Sequence, residues 1–171
     1  MSFLPENYKV PKAPSKYLKF EDGANRFRII SDVVMGYKYW NADNKPVRMK
    51  EYPEQMPVDI RDDSKIKHFW AFTIIDRKDG MIKICEITQA TIMRNIQDLV
   101  VNPDWSDPKE YDITISKTGE SLETKYTVQP SPHKEITGTE MELINKTPVN
   151  LEALFEGTDP FAEKVEIAEV N

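Results

Sequence analysis

The sequence predicts a mainly β domain: a five-stranded barrel with one helix between the third and fourth strands, an irregular N-terminal arm and an acidic C-terminal tail. Three observations lead there. Several segments rich in β-branched and aromatic residues alternate with a period of two. Turn residues separate them as pairs. A single long segment, residues 88–101, instead repeats its apolar residues at helical spacing.

In order, residues 1–15 hold three prolines and little apolar periodicity, which predicts a loosely docked arm. "KYLKF" (16–20) is a short strand candidate. "NRFRIISDVVMGYKYW" (25–40) is a long β-rich run, with Phe27 and Ile29 on one face and Arg26, Arg28 and Ile30 on the other. Gly36 inside it predicts a bulge or sharp bend that lets one strand serve two sheets. Residues 41–65 are polar with three prolines and read as a long loop, with room for a short strand at 46–50. "KHFWAFTIIDRKDGMIKICEI" (67–87) is a hairpin around an Asp-Gly turn. A helix follows over 88–101, with Thr88 as N-cap, a stripe of Ile92, Ile96, Leu99 and Val100, and Pro103 as its stop. "YDITISK" and "LETKYTVQP" form a second hairpin around Gly119, and "NLEALFEG" (150–157) a short helix. Strand, hairpin, helix, hairpin is the order of an OB-fold, a small partly open barrel that binds oligonucleotides on one face. Some other small α+β sheet remains open. The boundaries expected are an arm over 1–15, the barrel over 16–132, an extension over 133–156 and a tail over 157–171.

The bulk numbers narrow the class. The 171 residues suit one domain, and 39% hydrophobic residues are enough for a core. The lone Cys85 cannot form an internal disulfide; in its apolar alternation it reads as a buried reduced thiol, which fits a reducing compartment. No apolar run reaches a membrane span, and "MSFLPENYKVPK" lacks a signal peptide's apolar centre. A soluble cytoplasmic protein is expected. The net charge of −6 is distributed unevenly: +5 over residues 1–50, −4 over 51–64, +3 over 65–95 and −10 over 96–171.

Catalytic constellations are missing. There is no glycine-rich phosphate loop and no nucleophile elbow. His68, His133 and Cys85 lack ligand spacing, so neither metal nor cofactor is expected, and the chain reads as a non-enzyme. Single-stranded nucleic acid needs aromatic platforms beside cations, because every base has a π-face. The chain interleaves these. Tyr37 and Tyr39 fall on one strand face, Lys38 and Trp40 on the other. Arg26, Arg28, Arg48, Lys67, Trp70, Lys125 and Tyr126 complete the candidate binding set. Trp40, before a polar loop, is the aromatic expected to be exposed; Phe27, Phe69 and Phe72 are expected in the core.

"YLKFEDGANRFRIISDVVMGYKYW", "FWAF", "KICEITQATIMRNIQDL" and "NPDWSDPKEYDITISKTGESLETKYTVQP" together resemble the single-stranded-DNA-binding proteins of tailed bacteriophages, over roughly residues 16–132. The resemblance implies an OB-fold protein of DNA replication or recombination, working in the bacterial host cell if phage-encoded. It also implies that the acidic tail, with Asp159 and Phe161, recruits replication or recombination proteins and competes with DNA. Some members of the wider class carry a structural zinc; this chain lacks the Cys/His cluster for one. Two other classes fit the residues: an OB module that binds a peptide on the same face, and a subunit of a nuclease or other nucleic-acid enzyme, catalytic or not.

Overall fold

The computed structural model describes residues 3–10 and 15–162. Among them are seven strands: β1 (Gly23–Ile29), β2 (Val34–Trp40), β3 (Pro46–Met49), β4 (Lys67–Asp76), β5 (Ile82–Ile87), β6 (Asp112–Thr118) and β7 (Lys125–Pro130). Three α-helices accompany them: α1 (Ala90–Val101), α2 (Gly138–Lys146) and α3 (Ala153–Glu156). All pairings between the strands are antiparallel, in the order β3-β2-β4-β1-β6-β7, with β5 on β4. No helix of the described residues is long and apolar enough to cross a membrane.

Strand order follows the sequence reading in part. The mainly β class, the two hairpins and the helix between them are present. The strands number seven rather than five, and the barrel is not closed. β5 pairs with β4 alone and β7 with β6 alone, so the two strands that would seal a five-stranded barrel do not meet. Helix α1 packs against β7 instead.

The long run 25–40 is two strands, and the break lies at residues 30–33, not at Gly36. Both strands pair with β4: Phe27–Ile29 with its end (Asp76–Ile74), Val34–Lys38 with its beginning (Ala71–Lys67). Thr73 is the pivot. Its carbonyl accepts from Ile30 N–H at 2.9 Å and its N–H donates to Ser31 Oγ at 2.8 Å, so a side chain takes over where the ladder lapses. Gly36 serves close approach rather than bending. A Cβ there would stand 2.2 Å from the Met49 carbonyl oxygen and 2.9 Å from Phe155 Cε1.

"KYLKF" contributes one isolated bridge, Tyr17 to Ile84, not a strand. Thr88 is not the cap of α1. Gln89 holds that position, and its side-chain oxygen accepts from Thr88 N–H at 3.0 Å. Helix α2 was not anticipated. Its sign was in the sequence: Thr137 stands three residues before Glu140 and caps the helix, with Thr137 Oγ1 accepting from Glu140 N–H at 3.2 Å.

The sheet is buried on both faces. Phe72, Ile74, Cys85 and Ile87 point to one core, closed by Ile92 and Ile96 of α1 and by Phe27, Ile29, Ile113 and Ile115. Phe69, Ala71 and Ile84 point to a second core under Leu151 and Leu154, with Tyr17, Phe155 and Phe161 packed beside them. Burial pushes the Cys85 thiol well above its ordinary pKa, which makes it inert.

Three guanidiniums converge on Asp112 at the β1–β6 seam. Arg28 Nε donates at 2.8 Å, Arg26 Nε at 2.9 Å, and Arg77 at 3.1 and 3.2 Å. Burial works to raise the Asp112 pKa; the hydrogen bonds from Arg77 and Arg26 and the Arg77 and Arg28 charges outweigh it and hold the carboxyl below the usual range. Arg28 is 1% exposed, so removing its counter-charge is costly. Asp112→Asn should lower unfolding free energy by about 3–5 kcal/mol, measured by urea denaturation at pH 7. A depressed carboxyl pKa contributes stability that is complete above the unfolded value of about 3.9 and lost as pH falls through the folded value. The acid-induced loss of stability below about pH 4 should therefore be shallower in Asp112→Asn than in the wild type.

Candidate nucleic-acid interface

Strand register assigns each candidate to a face. Side chains that pair across antiparallel strands share one. Lys38 pairs with Lys67 and Arg48, Trp40 with Pro46, and Ala71 with Glu86. Lys38, Trp40, Arg48, Lys67 and Glu86 therefore lie on the face of the second core, the outer face. Tyr37 pairs with His68 and Met35 with Trp70, on the face of the first core.

Trp40 ends β2 and is 38% exposed. Its backbone is clamped by the long loop: its N–H donates to Ser64 Oγ and its carbonyl accepts from Arg61 N–H, both at 2.9 Å. The ring lies between two cations, with Lys38 Nζ 5.2 Å and the Arg61 guanidinium carbon 6.0 Å from its centroid. Glu86 answers Lys38 and accepts from Arg48 at 2.8 Å. Lys45, Lys65 and Lys67, near this strand end, make no ion pair among the described residues. Asp63 answers Arg61 as Glu86 answers Lys38. The result is an aromatic surface held at a fixed angle between two paired cations, with Lys45, Lys65 and Lys67 unpaired nearby among the described residues.

Tyr39 is core, 5% exposed, with its hydroxyl donating to Asp59 Oδ1 at 2.8 Å. That bond and the Asn41–Ile60 bridge pin the loop to the sheet. Tyr37 is half-buried in a second aromatic group, 5.3 Å from both Tyr52 and His68. His68 Nδ1–H donates to the Gly36 carbonyl at 2.8 Å. Trp70 is half-buried against the first core.

The remaining candidates stand apart from Trp40. Arg28 is buried on Asp112, whereas the Arg26 side chain is 54% exposed. Lys125 is exposed on β7, and Tyr126 packs against Phe20 with 5.8 Å between rings. Phe161 lies against the second core with Lys16 Nζ 5.0 Å over its ring, and Asp159 Oδ1 accepts from Phe161 N–H at 2.9 Å. The rest of the acidic tail, residues 163–171, lies outside the described residues. No group of three or more His, Cys, Asp or Glu side chains among the described residues is arranged to hold a metal.

Sequence reasoning missed Arg61, Ser64 and Tyr52. All three come from the loop 41–66, where no periodicity marks which side chain returns to the sheet. The Tyr39–Asp59 bond offers a direct check on this anchoring. Burial, and then the hydrogen bond to Asp59, push the Tyr39 phenol up to about 12. A raised folded pKa contributes stability that is complete below the unfolded value of about 10 and is lost as pH rises through the folded value. Between pH 10 and 12 the wild type should lose more thermal stability than Tyr39→Phe. At pH 7 the variant should be less stable by about 1 kcal/mol.

No family model matches the chain, and no solved structure matches it. A protein of Escherichia phage T5 named "Probable ssDNA-binding protein" is 31% identical over 142 residues, taking in 67% of this chain and 54% of that protein. The chain thus spans about half the length of this curated relative. The resemblance first carried by the sequence motifs is thereby shown: this chain is related to a phage protein named as a probable single-stranded-DNA-binding protein.

Proposed function

We propose that the protein binds single-stranded DNA without sequence preference and protects it during phage DNA replication, recombination or repair, in the cytoplasm of the bacterial host. It acts as a binding protein, not an enzyme. The observation that carries this reading is Trp40: an exposed ring flanked by Lys38 and Arg61, with Lys45, Lys65 and Lys67 uncompensated nearby. A base stacks on any aromatic face, and the cations meet the phosphates on either side, so the arrangement tolerates every base. Lys38 and Arg48 share the single carboxylate of Glu86, so one of the two positive charges remains in excess on this face. The fold is read as an opened relative of the OB barrel, with the β2–β3 hairpin extending the binding face. The T5 relative's name supports the same ligand.

The test is fluorescence titration with oligo-dT at several salt concentrations. Neutralising ~3–5 phosphates gives a slope of log K against log salt of roughly −2 to −3.5. Trp40→Ala should weaken binding by about 1–3 kcal/mol while leaving thermal unfolding nearly unchanged. Absence of wild-type binding, or a flat salt response, would remove this reading. A preference for a peptide ligand over oligo-dT would replace it with a protein-interaction module.

A further inference from the structure

The outer face has a second basic end. β1 continues the face of Lys38 and Trp40, because Arg28 pairs with Ile75 as Val34 pairs with Ala71, all on one side of β4. Arg26 lies two residues before Arg28 and on the same side. It opens into a cleft of about 700 Å³ walled by residues 15–26 and the β4–β5 turn.

The charges in this cleft are unequally matched. Its carboxylates already have partners: Glu21 takes Lys78 at 2.7 Å, and Asp76 and Asp79 take Lys83 at 2.8 and 2.7 Å. Arg77 is engaged at all three of its nitrogens, with Nε and Nη2 on Asp112 and Nη1 on Glu140 at 2.8 Å. Arg26 is different. Only its Nε is engaged, on Asp112 at 2.9 Å, and its Nη1 and Nη2 donate to nothing among the described residues. Asp112 holds the guanidinium by one edge and leaves the forked end outward. Arg28 and Arg77 share the same carboxylate, so the positive charge of Arg26 is not neutralised where it stands. Lys19, also on the cleft wall, makes no ion pair among the described residues.

An outward guanidinium fork, fixed by a buried carboxylate and backed by a free lysine, matches a phosphate oxygen pair. From this we infer that the cleft is a phosphodiester clamp, with Arg26 as its fork and Lys19 as its second cation, holding the DNA backbone at the far end of the face from Trp40. The inference rests on the single-strand reading above and adds a direction to it. β4 spans from Lys67, opposite Lys38, to Asp76, opposite Phe27, a distance of about 30 Å at ~3.3 Å per residue. A strand held at both ends must cover that length. The segment 149–162 covers the middle of the face, so the strand passes along its flank.

The experiment compares wild type, Arg26→Gln and Lys19→Gln with oligo-dT of about four and about twelve nucleotides, both within the range of site sizes of such domains. Lys19 is exposed and unpaired, so its variant keeps the fold even if Arg26→Gln weakens the seam; thermal melts check both. For the longer strand each variant should bind about tenfold more weakly, with the salt slope reduced by about 0.7. For the shorter strand, which cannot reach from Trp40 to the cleft, neither should change. Wild-type affinity of both folded variants for the longer strand overturns the clamp while leaving the single-strand reading intact. No wild-type binding at either length overturns the single-strand reading itself. An equal loss at both lengths also overturns the clamp, since it places Arg26 outside a length-dependent contact. Titrations in sodium phosphate and sodium chloride at equal ionic strength separate the phosphate sources. Equal wild-type affinity supports the backbone clamp; selective weakening in phosphate, lost in Arg26→Gln, assigns the cleft to free phosphate and overturns it.

Discussion

Strand β4 has to satisfy two edges and two faces at once, and the rest of the molecule follows from how it does so. One edge is taken by β5; the other is divided between β1 and β2, which meet at Thr73. Residues Ala71–Asp76 are all buried, a run that only a covered strand can carry. Covering the first face requires α1. Covering the second requires the chain beyond residue 148 to return across the sheet, and Gly36 is the space into which Phe155 fits. The ends of this strand are where the cover stops, and there the face presents Trp40 and Arg26.

The uneven charge along the sequence has a partly internal explanation. Part of the positive first half meets the negative second half within the molecule: Arg26 and Arg28 with Asp112, and Lys50 with Glu152 at the surface; Lys38 and Arg48 meet Glu86 of the 65–95 segment. Net charge by segment therefore overstates what faces solution. What distinguishes a binding cation from a structural one is whether a carboxylate already answers it. By that measure Lys45, Lys65, Lys67 and Lys19 count for more than Arg28. The cationic residues that organise the fold also set the orientation of those that remain available, as Asp112 does for Arg26 and Glu86 for Lys38.

Legibility in the sequence tracked periodicity. The hairpins at 67–87 and 112–130 were readable because alternation and turn residues coincide there. The first two strands were read as one because residues 25–40 keep their β character through a break made by a tertiary contact, Ser31 to Thr73, that no local signal marks. Gly36 is ambiguous in sequence: a glycine in a strand signals either a bulge or a close neighbour, and the packing of Phe155 and the Met49 carbonyl decides for the second. Faces along β2 were predictable from alternation, so Trp40 and Lys38 were separable from Tyr39. Which arginine on the outer face is buried was not, because Arg26 and Arg28 share a parity and differ only in where Asp112 stands. Barrel closure was equally out of reach, since it depends on whether β5 and β7 meet across the whole domain.

The outer face around Trp40 is the surface proposed to meet a single strand. Hydrogen–deuterium exchange with and without saturating oligo-dT addresses it without altering a residue. Slowed exchange in β2 and β3 from Lys38 to Arg48, in the loop at 59–67 and in β5 around Glu86, with Ala90–Val101 of α1 unchanged, is the predicted result. Protection confined to α1 and the strands beside it, with residues 38–67 exchanging as in the free protein, would contradict it.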